Sequence, residues 1–528
     1  MTRKIYCFLL FCCFFSANSF AQLAIIPQPD SLKMEEGFFN LHKDVVIQFT
    51  KTELAFDANW LKEQIQFYSN LSLTINEKAK PENFSIELIL LPVGKPDAYL
   101  LNIQKNQISI ASKSKQGIFY GLQTLLQIIN ASKNNQLPCL KISDAPSFAW
   151  RGMHLDVCRH FFTKEEVKKY IDYLAMYKMN VFHWHLTDDQ GWRLAVEKFP
   201  KLTEIGGWRK GTMVGPYSNN QFDTIHYGGF YSKNDIKEVV QYAAERHITI
   251  VPEIEMPGHA VAALAAYPQY SCKGKTIEVE KKWGVFDDVF CAGNDSTFLF
   301  LQQVLDEVIT LFPGEYIHVG GDECPKTRWK TCAKCQKRMA EEKLKDEHEL
   351  QSYFIQRIEK YVNSKGKKII GWDEILEGGL APNAAVMSWR GNEGGIAAAK
   401  QKHKAVMTPG KPCYFDHYQH ADKQNEPLAF GGLNTLNDVY NFQPIPEGLN
   451  PEESQYILGA QGNLWSEYIT SFAQAEYMAL PRMAAMSEVL WVKNKAKNYD
   501  LFIERLKVQV KMLDKKSVNY CKHHLSEK

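Results

Sequence analysis

Acidic side chains and tryptophans recur side by side through most of the chain. The groups are Asp156-Val157-Cys158-Arg159-His160, His183-Trp184-His185 with Asp188-Asp189, Glu253-Ile254-Glu255 running into Pro257-Gly258-His259, Gly320-Gly321-Asp322-Glu323, Trp372-Asp373-Glu374, Trp389-Arg390, Tyr414-Phe415-Asp416 and Trp465-Ser466-Glu467. Contact with solvent accounts for polar residues at the ends of elements, but not for tryptophan beside carboxylate time after time. A pocket of that kind suits a sugar: indole faces pack against pyranose C–H bonds, and carboxylates and arginines bind hydroxyls. The matching chemistry is glycosidic cleavage, in which one acid protonates the departing oxygen. Ordinary retaining enzymes place a second carboxylate about 5 Å away, across the anomeric carbon. Asp322 and Glu323 are immediate neighbours. Successive side chains leaving a strand diverge, so this pair fits better where another group is the nucleophile.

These groups need a scaffold that gathers strand ends. From about Phe148 the pattern repeats strand, loop and helix. Strands are expected at 152–157, 181–186, 249–254, 316–320, 368–372, 385–389, 405–408 and 456–461. Helices at 164–177, 235–246, 297–311, 349–364 and 394–402 alternate with them. Eight such strands predict an α/β fold with a (β/α)8 TIM-type barrel, whose active sites form at the C-terminal strand ends. Each acidic–aromatic group lies at or just beyond one of those ends. The barrel is assigned to residues 146–500 and a helical tail to 501–528. Residues 22–145 read as a small α+β domain, with strands at 45–49, 84–91, 99–103 and 107–111 and helices at 53–68 and 115–130.

The bulk numbers agree with a large folded protein. The 528 residues are 45% hydrophobic and 23% charged, with a formal net charge of +2. No basic block suggests nucleic acid or an anionic membrane surface. Arg3 and Lys4 precede an apolar run, Ile5 to Phe15, and Ser19-Phe20-Ala21 offers small residues for cleavage. Residues 1–21 are therefore expected to be a secretory signal and the protein periplasmic or extracellular. The run is too short for a permanent span, and Phe11 before Cys12 argues against lipid attachment. Three of the 12 cysteines leave with the signal, and the odd remainder leaves at least one unpaired within the chain. Cys272 and Cys291 bracket one loop and are the favoured disulfide. Cys332 and Cys335 form a C-x-x-C, with Cys324 nearby, that could hold zinc. No fourth ligand spacing accompanies them, so a disulfide or plain thiols are expected.

Taken together, the motifs Arg151-Gly-Met-His-Leu-Asp156-Val-Cys-Arg159-His160-Phe161, His185-Leu-Thr-Asp188-Asp-Gln-Gly-Trp-Arg193, Pro252-Glu-Ile-Glu-Met-Pro-Gly-His259 and His318-Val-Gly-Gly-Asp322-Glu323 resemble glycoside hydrolase family 20. Gly371-Trp-Asp-Glu374, Ser388-Trp-Arg390, Tyr414-Phe-Asp416 and Asn463-Leu-Trp-Ser-Glu467 are similar to the same family, and the likeness runs from about residue 25 to about 495. The resemblance implies a β-N-acetylhexosaminidase acting on chain ends, in which the substrate's own acetamide oxygen is the nucleophile. It further implies that Glu323 is the general acid and later the base, with a raised pKa while sugar is bound. Asp322 would orient the acetamide N–H, Tyr414 would donate to its oxygen, and Trp372, Trp389 and Trp465 would wall the pocket. Arg151, Asp416 and Glu467 would hold hydroxyls, and Asp188 and His259 would form a supporting network. Glu255 stands where many relatives have Asp, which displaces its carboxylate by about 1.5 Å. No cofactor and no metal are implied, and the partner is a glycan ending in an N-acetylhexosamine.

Two other readings use some of the same residues. His183-x-His185 with Asp188 and His259 has the residue types of a metal-dependent amidohydrolase, which leaves the tryptophans unexplained. A non-catalytic sugar-binding protein would need no Asp322 beside Glu323.

Overall fold

The computed structural model describes residues 23–76, 84–493 and 497–526. The expected signal segment lies outside them. Among the described residues no helix is long and apolar enough to cross a membrane.

Residues 31–144 form a seven-stranded mixed sheet. Helices Ala55–Ser69 and Lys115–Ala131 belong to the same domain. The second helix is capped by Ser114, whose side chain accepts from the Gly117 N–H, and it buries Ile118, Leu122, Leu125, Leu126 and Ile129. Three strands escaped sequence reading: Ser31–Asn40, Thr74–Asn76 and Gln136–Asp144. The first is an edge strand that buries only Phe39, so its alternation is weak. The third carries Pro138, which argues against a strand in sequence.

The barrel closes in chain order through Trp150–Asp156, Val181–His185, Thr249–Glu253, Tyr316–His318, Lys368–Trp372, Ala385–Ser388, Ala405–Met407 and Ile457–Gly462. All neighbouring pairs are parallel. All eight expected strands are present within two residues of their expected ends. Inside, Trp150, Val181, Val251, Ile370, Ala385, Met387 and Val406 pack together beneath Trp372, so the interior is filled rather than hollow. The first barrel helix, Lys164–Met176, starts with a reciprocal Thr163–Glu166 capping box.

The two domains meet across buried polar contacts. Lys178, fully buried, donates to the Tyr99 hydroxyl at 3.0 Å and to Asp144 at 3.4 Å. Trp491 of the last barrel helix donates to Asp144 at 2.9 Å. The helix Tyr499–Lys515, in the region expected as a tail, packs down as well: Arg505 bonds Glu488 and the Ile25 carbonyl.

Arg151 belongs to this interface, which corrects its expected place at the sugar. It is the second residue of the first strand, at the end of the barrel remote from the catalytic face. Its guanidinium donates to the carbonyls of Lys178 (3.0 Å) and Phe148 (2.8 Å) and to the Tyr120 hydroxyl (2.7 Å). The arginine of this motif that lines the cavity at the strand's other end is Arg159.

The expected Cys272–Cys291 disulfide is also corrected: all nine described cysteines are thiols. The chain brings Cys332 and Cys335 against them, so that four thiols gather where one pair was expected.

Candidate active site

The site begins with a backbone turn. The fourth barrel strand stops at His318, and Gly320, Gly321 and Glu323 take φ of +65°, +97° and +42°. Only glycine fits the first two positions. A Cβ on Gly320 would stand 1.8 Å from a Glu255 oxygen, and one on Gly321 would stand 2.5 Å from Ile375 Cγ2. The left-handed Glu323 is a strained residue of the sort that collects at functional sites. The turn overrides the divergence expected of neighbouring side chains: His259 Nε2 lies 3.5 Å from Asp322 and 3.6 Å from Glu323.

His259 is the hub of a buried relay. Its Nδ1 faces Asp189 at 3.0 Å and Asp188 at 3.3 Å. Asp188 in turn meets His185 at 2.8 Å and Arg159 at 2.9 Å. Burial alone would lower the His259 pKa, but the charges of Asp188 and Asp322 hold it well above the ordinary value. That direction favours the imidazolium, with Nδ1 set against Asp188 and Asp189 and Nε2 turned toward Asp322 and Glu323. Asp322 is pushed up to about 6 by burial, with Glu253 and Glu323 adding to the rise against His259. Glu323 is lowered, chiefly by the hydrogen bond from His259. The rise expected for Glu323 concerns the sugar-bound state, in which the ligand would strip water from it.

Around these acids lies a cavity of about 400 Å³, lined among others by Arg159, Trp372, Trp389, Tyr414, Trp465, Asp416 and Glu467. Each wall is fixed from behind. Trp372 donates its indole N–H to Glu253 at 2.7 Å and Trp389 to Glu374 at 2.9 Å. Tyr414 stacks on Trp389 with rings 6.2 Å apart, and Trp465 meets Trp372 at 5.7 Å. Arg159 lies 5.1 Å over the Trp465 ring and 3.9 Å from Glu467. Burial and its neighbour Glu467 hold Asp416 well above the usual carboxylate range.

Among the described residues no donor reaches Oδ1 of Asp322, Oδ1 of Asp416 or Oε2 of Glu467, although all three atoms are buried. Buried oxygens normally have partners, so this cavity is built for a ligand rich in N–H and O–H donors.

All the expected site residues except Arg151 therefore meet at one pocket or, like Asp188, directly behind it. The pocket also uses Arg159, Arg390, His417 and Phe430, which had no expected role. Arg159 and Arg390 stood in the quoted motifs, the first three residues after Asp156 and the second next to Trp389. Phe430 is 59% exposed and precedes Gly431-Gly432, a signal that sequence reading could have used.

The His183-x-His185 pair does not open onto the cavity. Both rings are buried and turned to Glu253, at 3.0 Å from His183 and 2.5 Å from His185. Their work is to hold the carboxylate that anchors Trp372. Glu255 sits under Gly320, and burial together with Asp322 raises its pKa well above normal.

A model of the catalytic domain of glycosyl hydrolase family 20 matches residues 148–494, and one of the family's domain 2 matches residues 22–145. A Porphyromonas gingivalis protein named β-hexosaminidase is 47% identical over 508 residues, covering 94% of this chain and 64% of its own length. A Vibrio furnissii β-hexosaminidase is 35% identical, covering 89% of this chain and 77% of that protein. The solved Vibrio harveyi GH20 exo-β-N-acetylglucosaminidase, in complex with N-acetylglucosamine, superposes with a TM-score of 0.85 at 31% identity, covering 94% of this chain and 78% of the other.

Proposed function

The chain belongs to glycosyl hydrolase family 20, and from that premise we propose that it is an exo-acting β-N-acetylhexosaminidase releasing terminal N-acetylglucosamine or N-acetylgalactosamine with retention. The observation that carries the reading is that Asp322, Asp416 and Glu467, each with a buried oxygen that no donor reaches among the described residues, line one cavity walled by three tryptophans. The sugar ring packs on Trp465 and Trp372. Its hydroxyls bond Asp416, Glu467 and Arg159 at the inner end, which leaves no room for a further residue there and makes the action exo.

The acetamide oxygen attacks the anomeric carbon as the glycosidic bond breaks, and Glu323 gives its proton to the departing oxygen. Asp322 accepts the amide N–H and balances the positive charge that spreads over the oxazolinium ring. Tyr414 donates to the acetamide oxygen and aligns it. Glu323, now ionised, takes a proton from water, whose oxygen attacks the anomeric carbon and reopens the ring. Two inversions give net retention. His259 holds the imidazolium against both carboxylates and keeps them apart in role.

The test uses 4-nitrophenyl N-acetyl-β-glucosaminide. Glu323→Gln should lower kcat by about 10²–10⁴-fold and Asp322→Asn by about 10²–10³-fold. A thiazoline mimic of the cyclised intermediate should inhibit strongly, and the matching plain glucoside should be nearly inert. Comparable cleavage of the plain glucoside would overturn the acetamide mechanism.

Export is part of the proposal, supported by the charge, apolar run and small residues of positions 1–21. A mature N-terminus at Gln22 in the periplasm or medium is the expected result. Retention of uncleaved protein in the cytoplasm would refute it.

A further inference from the structure

Four cysteines from two separated stretches converge on the flank of the catalytic face. Cys272 and Cys291 lie on the loop after the third strand, and Cys332 and Cys335 lie on the segment after the fourth. Cys291 Sγ is 3.8 Å from Cys332 Sγ and 3.7 Å from Cys335 Sγ, and Cys335 Sγ is 3.8 Å from Cys272 Sγ. All four sulfurs lie within 4.8 Å of one another.

These distances have a simple interpretation. Zinc–thiolate bonds of about 2.3 Å at tetrahedral angles require sulfur–sulfur edges of about 3.8 Å. A disulfide requires about 2.05 Å, and two disulfides would sort four sulfurs into two pairs. Here Cys291 and Cys335 each approach two others, so the arrangement is that of a polyhedron. We propose that Cys272, Cys291, Cys332 and Cys335 bind one zinc ion in a closed, structural site.

The surroundings fit the ion. Cys332-x-x-Cys335 is a common zinc-ligand spacing, and Cys335 lies in the first turn of the helix Ala333–Glu342, where the helix dipole favours thiolate. Gly293 is the floor of this turn. A Cβ there would stand 2.1 Å from the Lys334 carbonyl carbon and 2.4 Å from the Cys335 nitrogen. The Gly293 N–H donates to the Cys291 sulfur, and Arg328 supplies positive charge near Cys272. Three of the sulfurs are on buried residues and the fourth is half-buried, so no open coordination position faces solvent or substrate.

The site would fasten two active-site loops together. Phe290 N–H donates to the Pro257 carbonyl, two residues before His259, and Trp329 donates to the Phe290 carbonyl at 3.0 Å. The Cys332–Cys335 turn follows Asp322-Glu323 by nine residues. Zinc thus joins the loop that presents the imidazolium to the one that presents the carboxylates.

The experiment is metal analysis of the native enzyme, purified without chelating resin and again after exposure to zinc. One zinc per chain is expected, released in step with mercurial titration of four thiols. Cobalt put in its place should give the visible absorption of tetrahedral cobalt thiolate. The variant Cys332→Ser/Cys335→Ser should lose the metal. Should that variant fail to fold, the native stoichiometry and the cobalt spectrum still decide. Folded protein without metal would overturn the proposal, whether its sulfurs are thiols or, by mass, two disulfides. Iron in the site would overturn the choice of zinc. None of these readouts depends on glycoside hydrolysis.

Discussion

Asp322 and Glu323 share one imidazolium, so their ionisations respond together when it is removed. His259 lowers the pKa of Glu323 through its hydrogen bond and opposes the rise of Asp322 to about 6. The acid limb of kcat/KM, which reports the free enzyme, is expected near that value, where Asp322 ionises, and the alkaline limb of kcat, which reports the sugar-bound enzyme, follows loss of the Glu323 proton. His259→Asn deletes the positive charge and should move both limbs to higher pH, which a pH–rate series reads directly. A shift of one limb alone would break the shared-donor account. Stability follows the same carboxyl. Between 3.8 and about 6 the folded state keeps a proton on Asp322 that the unfolded chain has released, so this residue's contribution to stability falls as pH rises through that window. The two arginines of the first motif separate structure from binding. Arg151→Met removes two buried hydrogen bonds and one part-buried one and should cost about 3 kcal/mol of stability while leaving KM unchanged. Arg159→Lys should raise KM by about tenfold or more. Calorimetry and steady-state kinetics on both variants distinguish these roles.

Between strand and loop, conformation decides what the pocket receives. Gly320→Ala demands both a left-handed alanine and space that Glu255 already fills, so a loss of about 1–3 kcal/mol is expected in thermal or urea unfolding. Activity should fall further than stability, because the turn aims both acids. The strands of the barrel were legible in sequence because buried parallel strands are short, β-branched runs alternating with helices that carry one apolar face. The acids, tryptophans and Tyr414 were legible because they lie at or just beyond strand ends. Arg151 was misread because sequence order cannot tell which end of a strand a side chain serves, and position two of a seven-residue strand lies far from the catalytic face. Phe430 and His417 were missed because they come from a long loop with no periodicity. The cysteine cluster was missed because two of its members stand 40 or more residues from the other two. Only the packing of adjacent barrel loops brings them together.

Across the whole molecule, the N-terminal domain completes the barrel's lower end. Tyr120, Tyr99 and Asp144 satisfy Arg151 and Lys178, both fully buried. Cut away, that domain would leave two cations and the Trp491 indole without these partners, and an unpaired buried charge is among the larger single penalties in a fold. Expression of residues 146–528 alone should therefore yield aggregated protein without a cooperative melt, and a soluble, active fragment would contradict the interface's importance. There is also a temporal side to the Arg151 contact. Domains fold as units during synthesis, earlier ones first, so Tyr120 is already in place when the opening strand of the barrel emerges. The helper then serves as a template against which the first strand docks before its seven partners exist. A circular permutant that carries residues 23–145 after the barrel would keep every native contact and yet lose that head start, and its refolding yield would report what chain order contributes.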